Sequence, residues 1–63
     1  MLARITKAYK RHYTDSGQTV AYVEWLDTKG RSGRTEGQPA NPHMVALFAR
    51  AKREGITPTS ERW

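Results

Sequence analysis

The strongest periodic pattern in the chain lies in its C-terminal half. Apolar residues recur there at the i, i+3, i+4, i+7 spacing that places side chains on one face of a helix: Met44, Leu47, Phe48 and Ala51. Asn41 is a favourable N-cap, and Pro42 suits the first helical position, where no N–H is needed. Gly55 is typical of the residue just past a helix end, and Pro58 prevents continuation. The pattern therefore predicts one amphipathic helix between Asn41 and Gly55.

The N-terminal half has a different pattern, with strand-like segments separated by turn residues. Thr19–Asp27 is the clearest strand, because β-branched and aromatic residues are concentrated along it. Ala3–Tyr13 is a second strand, and Thr14–Gln18 supplies the turn between the two. Another turn is predicted at Asp27–Gly30. Arg31–Glu36 follows as the weakest strand, and its glycine and polar neighbours favour the edge of a sheet.

One helix can bury its apolar stripe only against the sheet. This predicts an α+β fold in which a three-stranded antiparallel sheet packs on one C-terminal helix (β-β-β-α), in two layers. We expect a single domain at residues 1–56 and a short C-terminal tail at residues 57–63. The expected core is Ile5, Ala21, Val23, Trp25, Met44, Leu47, Phe48, Ala51 and Ile56. Because so few large side chains must offset the chain entropy, Trp63 is expected to fold back as a lid on this core.

The register of the first hairpin decides which side chains of the first strand face the helix. A five-residue loop pairs Tyr13 with Thr19 and puts Tyr9 on the same side as Val23. The opposite, exposed face then carries Arg4, Thr6, Lys10, His12, Val20, Tyr22 and Glu24. A loop shorter by one residue exchanges the two faces of the first strand, because a one-residue slip inverts every side chain. The five-residue loop is favoured, since it keeps Ile5 and Tyr9 with the apolar side of the second strand.

Composition limits the classes of protein that this chain can belong to. Its 63 residues allow one small domain, and a chain of this size buries only about 60% of its unfolded-state surface. It contains no cysteine, which excludes disulfides, thiolate zinc ligands and a thiol nucleophile. No apolar run is long enough to span a bilayer, and the N-terminus lacks the apolar stretch of a secretory signal. We therefore expect a cytoplasmic protein without a membrane partner.

The net positive charge of the chain favours an anionic partner. Eleven Lys and Arg against six Asp and Glu give a net charge of +5, which suits nucleic acid because neutralising phosphates releases counterions. A charge of this size also serves plain solubility. The expected contact residues are Arg4, Lys7, Lys10, Arg11, Tyr22, Lys29, Arg31 and Arg34. A two- or three-stranded ribbon fits the DNA major groove, so we expect weak, salt-sensitive, largely sequence-independent binding, with DNA favoured over RNA.

The same surface also suits a protein partner. Tyr22 and Val20 beside arginines form the amphipathic mixture that is enriched at interface hot spots. The open edge of the weak third strand can accept a strand from another protein or from a second copy of this chain. A protein-binding or homodimeric adaptor is therefore the alternative function.

Catalysis is the third candidate function, after binding to nucleic acid and binding to a protein. The chain has two histidines, His12 and His43, and no HExxH, GxSxG, phosphate-loop or dinucleotide pattern, so we expect no enzyme, metal or cofactor. The segment from Arg11 through Val23, with a helix ending Arg-Glu-Gly-Ile, resembles the strand-to-helix half of small toxin ribonucleases with a double-stranded-RNA-binding-like fold. A metal-free ribonuclease that uses His12 with Lys or Arg neighbours is chemically possible, and the resemblance is to enzymes of that class. The chain lacks the leading helix and the Gly-Ser-His segment of those enzymes.

The predicted order of three strands and one helix is similar, in topology alone, to two families of small DNA-binding domains. These are the integrase N-terminal domains and the plant apetala-type factors, in which the sheet enters the major groove. The resemblance implies that the exposed sheet face is the DNA-contacting surface. The small size is typical of free-standing accessory proteins of bacterial and mobile-element genomes.

Overall fold

Four strands and one helix follow one another along residues 2–63, which are the residues that the computed structural model describes. Met1, part of the expected domain, lies outside the described residues. The elements are β1 (Leu2–Tyr13), β2 (Gln18–Asp27), β3 (Ser32–Gly37), α1 (Pro42–Arg53) and β4 (Thr59–Arg62). The sheet order is β3-β2-β1-β4, with β2 antiparallel to both its neighbours and β4 parallel to β1. The α+β class and the packing of the sheet on one helix are confirmed.

The prediction of three antiparallel strands was incomplete: the three strands are present and antiparallel, but β4 makes the sheet four-stranded and mixed. Its four residues pair in parallel with residues 9–12 of β1. The pairing continues at Trp63, whose N–H donates to the carbonyl of His12 at 2.8 Å. Much of the segment expected to be a tail therefore belongs to the sheet. A short polar segment carries no apolar alternation, and its partner strand lies at the other end of the chain, so local pattern does not reveal it.

The favoured register of the first hairpin was wrong. Tyr13 pairs with Gln18, which leaves the four-residue turn Thr14–Gly17. Gly17 has a φ of 72°, a conformation that glycine adopts without the steric cost of a side chain. Tyr9 consequently pairs with Tyr22 and lies on the sheet face away from α1.

An irregularity in β1 between Ile5 and Lys7 restores the burial of Ile5 despite the changed register. Register shifts occur between Leu2 and Arg4 and between Ile5 and Lys7. A bulge inserts one extra residue, so the side chains beyond it point to the other face. Ile5 is therefore in the core on the helix side, although strict alternation from Tyr9 would have turned it outward.

The helix begins and ends as its sequence predicts. The Asn41 side chain accepts a hydrogen bond from the His43 N–H at 2.8 Å, with Pro42 in the first helical turn. At the other end Gly55 has a φ of 84°, and the Ile56 N–H donates to the carbonyl of Ala51 at 2.9 Å. This arrangement satisfies carbonyls that the last helical turn leaves unpaired. In the part of the chain that the structure describes, no helix is both long and apolar enough to cross a bilayer.

The core between α1 and the sheet contains every residue expected in it. The fully buried members are Ile5, Ala8, Ala21, Val23, Met44, Leu47 and Ala51, with Leu2, Trp25, Phe48 and Ile56 partly buried against them. Trp25 lies over Gly33 and donates its Nε1–H to the Thr35 hydroxyl at 3.0 Å. A Cβ placed on Gly33 would lie 2.5 Å from the Trp25 ring. The glycine in this edge strand thus makes room for the indole.

Candidate nucleic-acid interface on the open sheet face

The sheet has one face packed on α1 and one face turned away from it, and we call the second the open face. Its members follow from the strand register, since side chains alternate along each strand and residues paired across strands share a face. The charged and aromatic members are Arg4, Lys7, Tyr9, Arg11, Tyr13, Tyr22, Glu24, Arg34, Glu36, Glu61 and Trp63.

Two tyrosines form the floor of the open face. The rings of Tyr9 and Tyr22 stack with centroids 5.1 Å apart and planes inclined by 15°. They are only 1% and 4% exposed. The Tyr9 hydroxyl donates to Glu24 Oε2 at 2.9 Å, and the hydroxyls of Tyr13 and Tyr22 lie 2.7 Å apart. This contact lowers the pKa of Tyr13 and raises that of Tyr22.

Arg11 lies at the centre of the face, above the tyrosine floor. Its guanidinium carbon is 5.2 Å from the ring centroid of Tyr9, 5.1 Å from that of Tyr22 and 4.5 Å from that of Trp63. Its Nε donates to Glu61 Oε1 at 2.8 Å. The bond raises the pKa of Arg11, and in return Arg11 holds the pKa of Glu61 below its ordinary value. The aromatic rings and Glu61 therefore hold the Arg11 guanidinium in place, and the Glu61 carboxylate balances part of its charge.

Two further cations lie over the same two rings. The Lys7 ammonium is 4.7 Å from the Tyr9 centroid, and the Arg34 guanidinium carbon is 5.1 Å from the Tyr22 centroid. The neighbouring Tyr9 hydroxyl raises the pKa of Arg34. Cations over aromatic faces are held by attraction to the ring quadrupole. Lys7, Arg11 and Arg34, all predicted contact residues, are thus brought together, and Tyr22 lies beneath them with its ring covered.

Three other predicted contact residues lie at one end of the sheet. Arg4 pairs with Leu26, close to where β2 ends. Lys29 and Arg31 belong to the β2–β3 turn, where both backbone N–H groups donate to Asp27 Oδ1 at 2.8 Å. These three cations therefore lie near the β2–β3 turn, apart from Lys7, Arg11 and Arg34.

Lys10 is separated from the other predicted contact residues. It lies on the helix side of β1, with its ammonium 5.7 Å from the centroid of the Phe48 ring. His12 lies on the same side, and its Nδ1 is 2.9 Å from the Thr19 hydroxyl. Both had been expected on the exposed face, and the one-residue change in hairpin register moves them to the other side.

Carboxylates occupy the open face together with the cations. Within residues 2–63 the face carries three carboxylates and four cations, so its net charge is close to zero. They are Glu24, Glu36 and Glu61 with Arg4, Lys7, Arg11 and Arg34. Glu24 accepts from the Tyr9 hydroxyl and Glu61 from Arg11. Most of the net positive charge of the chain therefore lies elsewhere, including the last helical turn with Arg50, Lys52 and Arg53.

Sequence reasoning missed Glu61 and Trp63 as parts of this site. Trp63 was expected on the core, but it lies on the open face and is 61% exposed. No local signal places it there, because its position depends on the unpredicted pairing of β4. Among residues 2–63 no three His, Cys, Asp or Glu side chains converge as a metal site requires.

Comparisons with known proteins provide no relative from which to infer a role. No protein-family model, no curated protein and no solved structure matches this chain. The candidate interface therefore rests on the geometry of this chain alone.

Proposed function

We propose that the protein binds nucleic acid through the open face. The observation that carries the proposal is the group of three cations, Lys7, Arg11 and Arg34, held over the stacked tyrosine rings. Side chains that are already restrained lose less rotamer freedom when they bind a phosphate. The planar guanidinium also matches the two oxygens of a phosphate.

The size and charge of the face support weak binding. From Arg4 to Arg11 the strand spans roughly 20 Å, at about 3.3 Å per residue with some shortening by the bulges. This length suits about three or four phosphate contacts, for which the logarithm of the affinity falls with the logarithm of the salt concentration at a slope of about −3. The three carboxylates on the face repel phosphate and keep the affinity low.

The test is an NMR amide-shift titration with a short DNA duplex and separately with a short RNA, at low and at physiological salt. We expect shifts in β1, β2 and β3 around Lys7, Arg11 and Arg34, and we expect them to shrink steeply as salt rises. Amides on the exposed side of α1, such as Val45 and Ala49, serve as internal controls. No shifts at low salt, or shifts confined to the end of α1, would contradict the proposal.

A second candidate function is binding to a protein or to another copy of the chain. The observation that favours it is the position of β3, which within residues 2–63 pairs with β2 on one side and has no strand on the other. Such an edge can be extended by a partner strand. Sedimentation at rising protein concentration tests self-association, and dimers whose amide changes map to β3 would favour this candidate.

A further inference from the structure

We propose that the ligand of the open face is single-stranded nucleic acid, with an unpaired base stacked on Trp63 and an adjacent phosphate held by Arg11. This inference rests on the proposed function and narrows its ligand class. The shared chemistry is an unstacked base next to a phosphodiester, which single-stranded DNA and single-stranded RNA both provide.

The fourth strand, β4, widens part of the sheet. At Tyr9 and Lys10 of β1 all four strands lie side by side, and at about 4.8 Å spacing this part is roughly 14 Å wide before side chains are added, whereas the major groove is about 12 Å wide. The remaining parts are three strands wide or narrower, so width alone does not select the ligand. An exposed aromatic ring on the face favours a single strand, because only unpaired bases are free to stack on it.

Trp63 is an exposed aromatic side chain on a fixed backbone. It is 61% exposed, yet its N–H donates to the His12 carbonyl, and its own carbonyl accepts from both the N–H and the hydroxyl of Thr14, each at 2.8 Å. An indole held in this way presents a stacking surface without first having to be ordered. Base stacking on such rings is a main source of affinity for single strands.

The two faces of the indole have different surroundings. Arg11 covers one face at 4.5 Å from the ring centroid, and the Nε1–H is engaged by Glu61 Oε1 at 3.2 Å. The high exposure of Trp63 leaves the other ring face for a base. Tyr9 and Tyr22 are buried and cannot stack on a ligand, and Tyr13 is only partly exposed, so Trp63 is the main stacking platform. Because its Nε1–H is already bonded, the indole has no free hydrogen-bonding group with which to read base identity.

The experiment follows the indole N–H signals of the protein while oligonucleotides are added at low salt. The probes are eight-nucleotide oligo-dT and oligo-U, an abasic deoxy strand of the same length, and an eight-base-pair DNA duplex. We expect oligo-dT or oligo-U to move the Trp63 indole signal while that of Trp25 stays in place. The abasic strand, which has the phosphates without the bases, is expected to bind about tenfold more weakly. The stronger of the two single strands identifies DNA or RNA as the source.

Two variants separate stacking from charge. Trp63→Leu is expected to lower the affinity for the preferred single strand about tenfold while leaving the affinity for the abasic strand unchanged. Trp63→Phe keeps an aromatic face and is expected to retain affinity within about threefold. Both variants are first checked for an unchanged amide spectrum in the core of the domain.

Different results would contradict stacking on Trp63 and nucleic-acid binding by the open face. If Trp63→Leu binds the single strands as tightly as the parent chain, or if the duplex binds more tightly than either single strand, the inference is wrong and nucleic-acid binding stands. If none of the four probes binds at low salt, both are wrong.

Discussion

Tyr9 of β1 and Tyr22 of β2 lie directly opposite each other on the open face, and their rings stack 5.1 Å apart. Both are almost completely buried although α1 packs on the other side of the sheet. The side chains of Lys7, Arg11 and Arg34 form part of their cover. The small domain therefore has a second packed layer, which stabilises the sheet from the side opposite the helix and fixes the cations proposed to bind phosphate.

This second layer predicts a large loss of stability when one of its rings is removed. Tyr9→Ala deletes a buried ring and its hydrogen bond to Glu24, so the free energy of unfolding should fall by about 3–5 kcal/mol. Val45→Ala, at a position 55% exposed on α1, is the control and should change it by less than about 0.5 kcal/mol. Urea unfolding measures both, and a loss below about 1 kcal/mol for Tyr9→Ala would show that the tyrosine layer contributes little.

Gly33 is predicted to be intolerant of a side chain because of Trp25. The Cβ of Gly33→Ala would lie 2.5 Å from the indole, which its bond to Thr35 holds in place. The free energy of unfolding should fall by about 1–3 kcal/mol. In a protein that already carries Trp25→Leu, Gly33→Ala should leave the free energy of unfolding almost unchanged. The clash is then gone, and alanine is less flexible than glycine in a strand. If Gly33→Ala lowers the free energy of unfolding equally in the parent chain and in the Trp25→Leu variant, this explanation is wrong.

Acid is predicted to weaken the fold partly through Glu54. Its carboxylate accepts the Ile5 N–H at 2.8 Å and pairs with Arg50 at 2.7 Å, and these two contacts hold the pKa of Glu54 below the ordinary 4.5. Because this pKa is lower in the folded state, the stabilisation is complete above about pH 5.5 and is lost as the pH falls through the folded-state pKa.

The variant Glu54→Gln tests this contribution. Its amide oxygen can still accept the Ile5 N–H, but the side chain no longer titrates. Between about pH 6 and about pH 3 the variant should therefore lose less stability than the parent chain. Glu54→Ala also stops the titration but removes the acceptor, and it should be less stable than Glu54→Gln. Superimposable pH profiles for the parent and Glu54→Gln would exclude this role.

Removing a carboxylate from the open face should strengthen binding to nucleic acid. Glu36 is exposed and lies opposite Tyr22 on β3, so Glu36→Gln raises the charge of the face by one unit. We expect severalfold tighter binding at low salt, an advantage that shrinks at high salt. Ala49→Lys adds the same charge on the exposed side of α1 and should have a much smaller effect. Similar gains from both substitutions would mean that net charge, and not the open face, governs binding.

The elements set by local chemistry were predictable from the sequence. Asn41, Pro42 and Gly55 mark the helix ends, and the apolar stripe of α1 identifies the side that packs on the sheet. Each of these signals acts within a few residues of the structure it produces. The helix therefore lies where the pattern placed it, and the β1–β2 and β2–β3 turns fall close to their predicted segments, the first of them one residue shorter than expected.

The features that depend on distant pairing were not predictable. The four-residue turn reverses the face expected for Tyr9 and Lys10, and the bulge between Ile5 and Lys7 keeps Ile5 buried. A pattern read along one strand cannot distinguish this outcome from the longer loop, because both bury Ile5. The position of Trp63 depends in turn on β4, which has no apolar alternation of its own. The candidate site was therefore found in part, with Lys10 misplaced and Trp63 missed.

The central claim, that the cations of the open face bind phosphate, is tested most directly by removing the same charge from two surfaces. Lys7→Gln with Arg34→Gln takes two charges from the open face, and Lys52→Gln with Arg53→Gln takes two from the exposed end of α1. The measurement is the affinity of each double variant for the tightest-binding oligonucleotide as a function of salt. We predict that the open-face variant binds at least about tenfold more weakly, with a salt slope reduced by about 2, and that the helix variant keeps the slope of the parent chain. Equal losses in the two variants, or a larger loss in the helix variant, would contradict the claim.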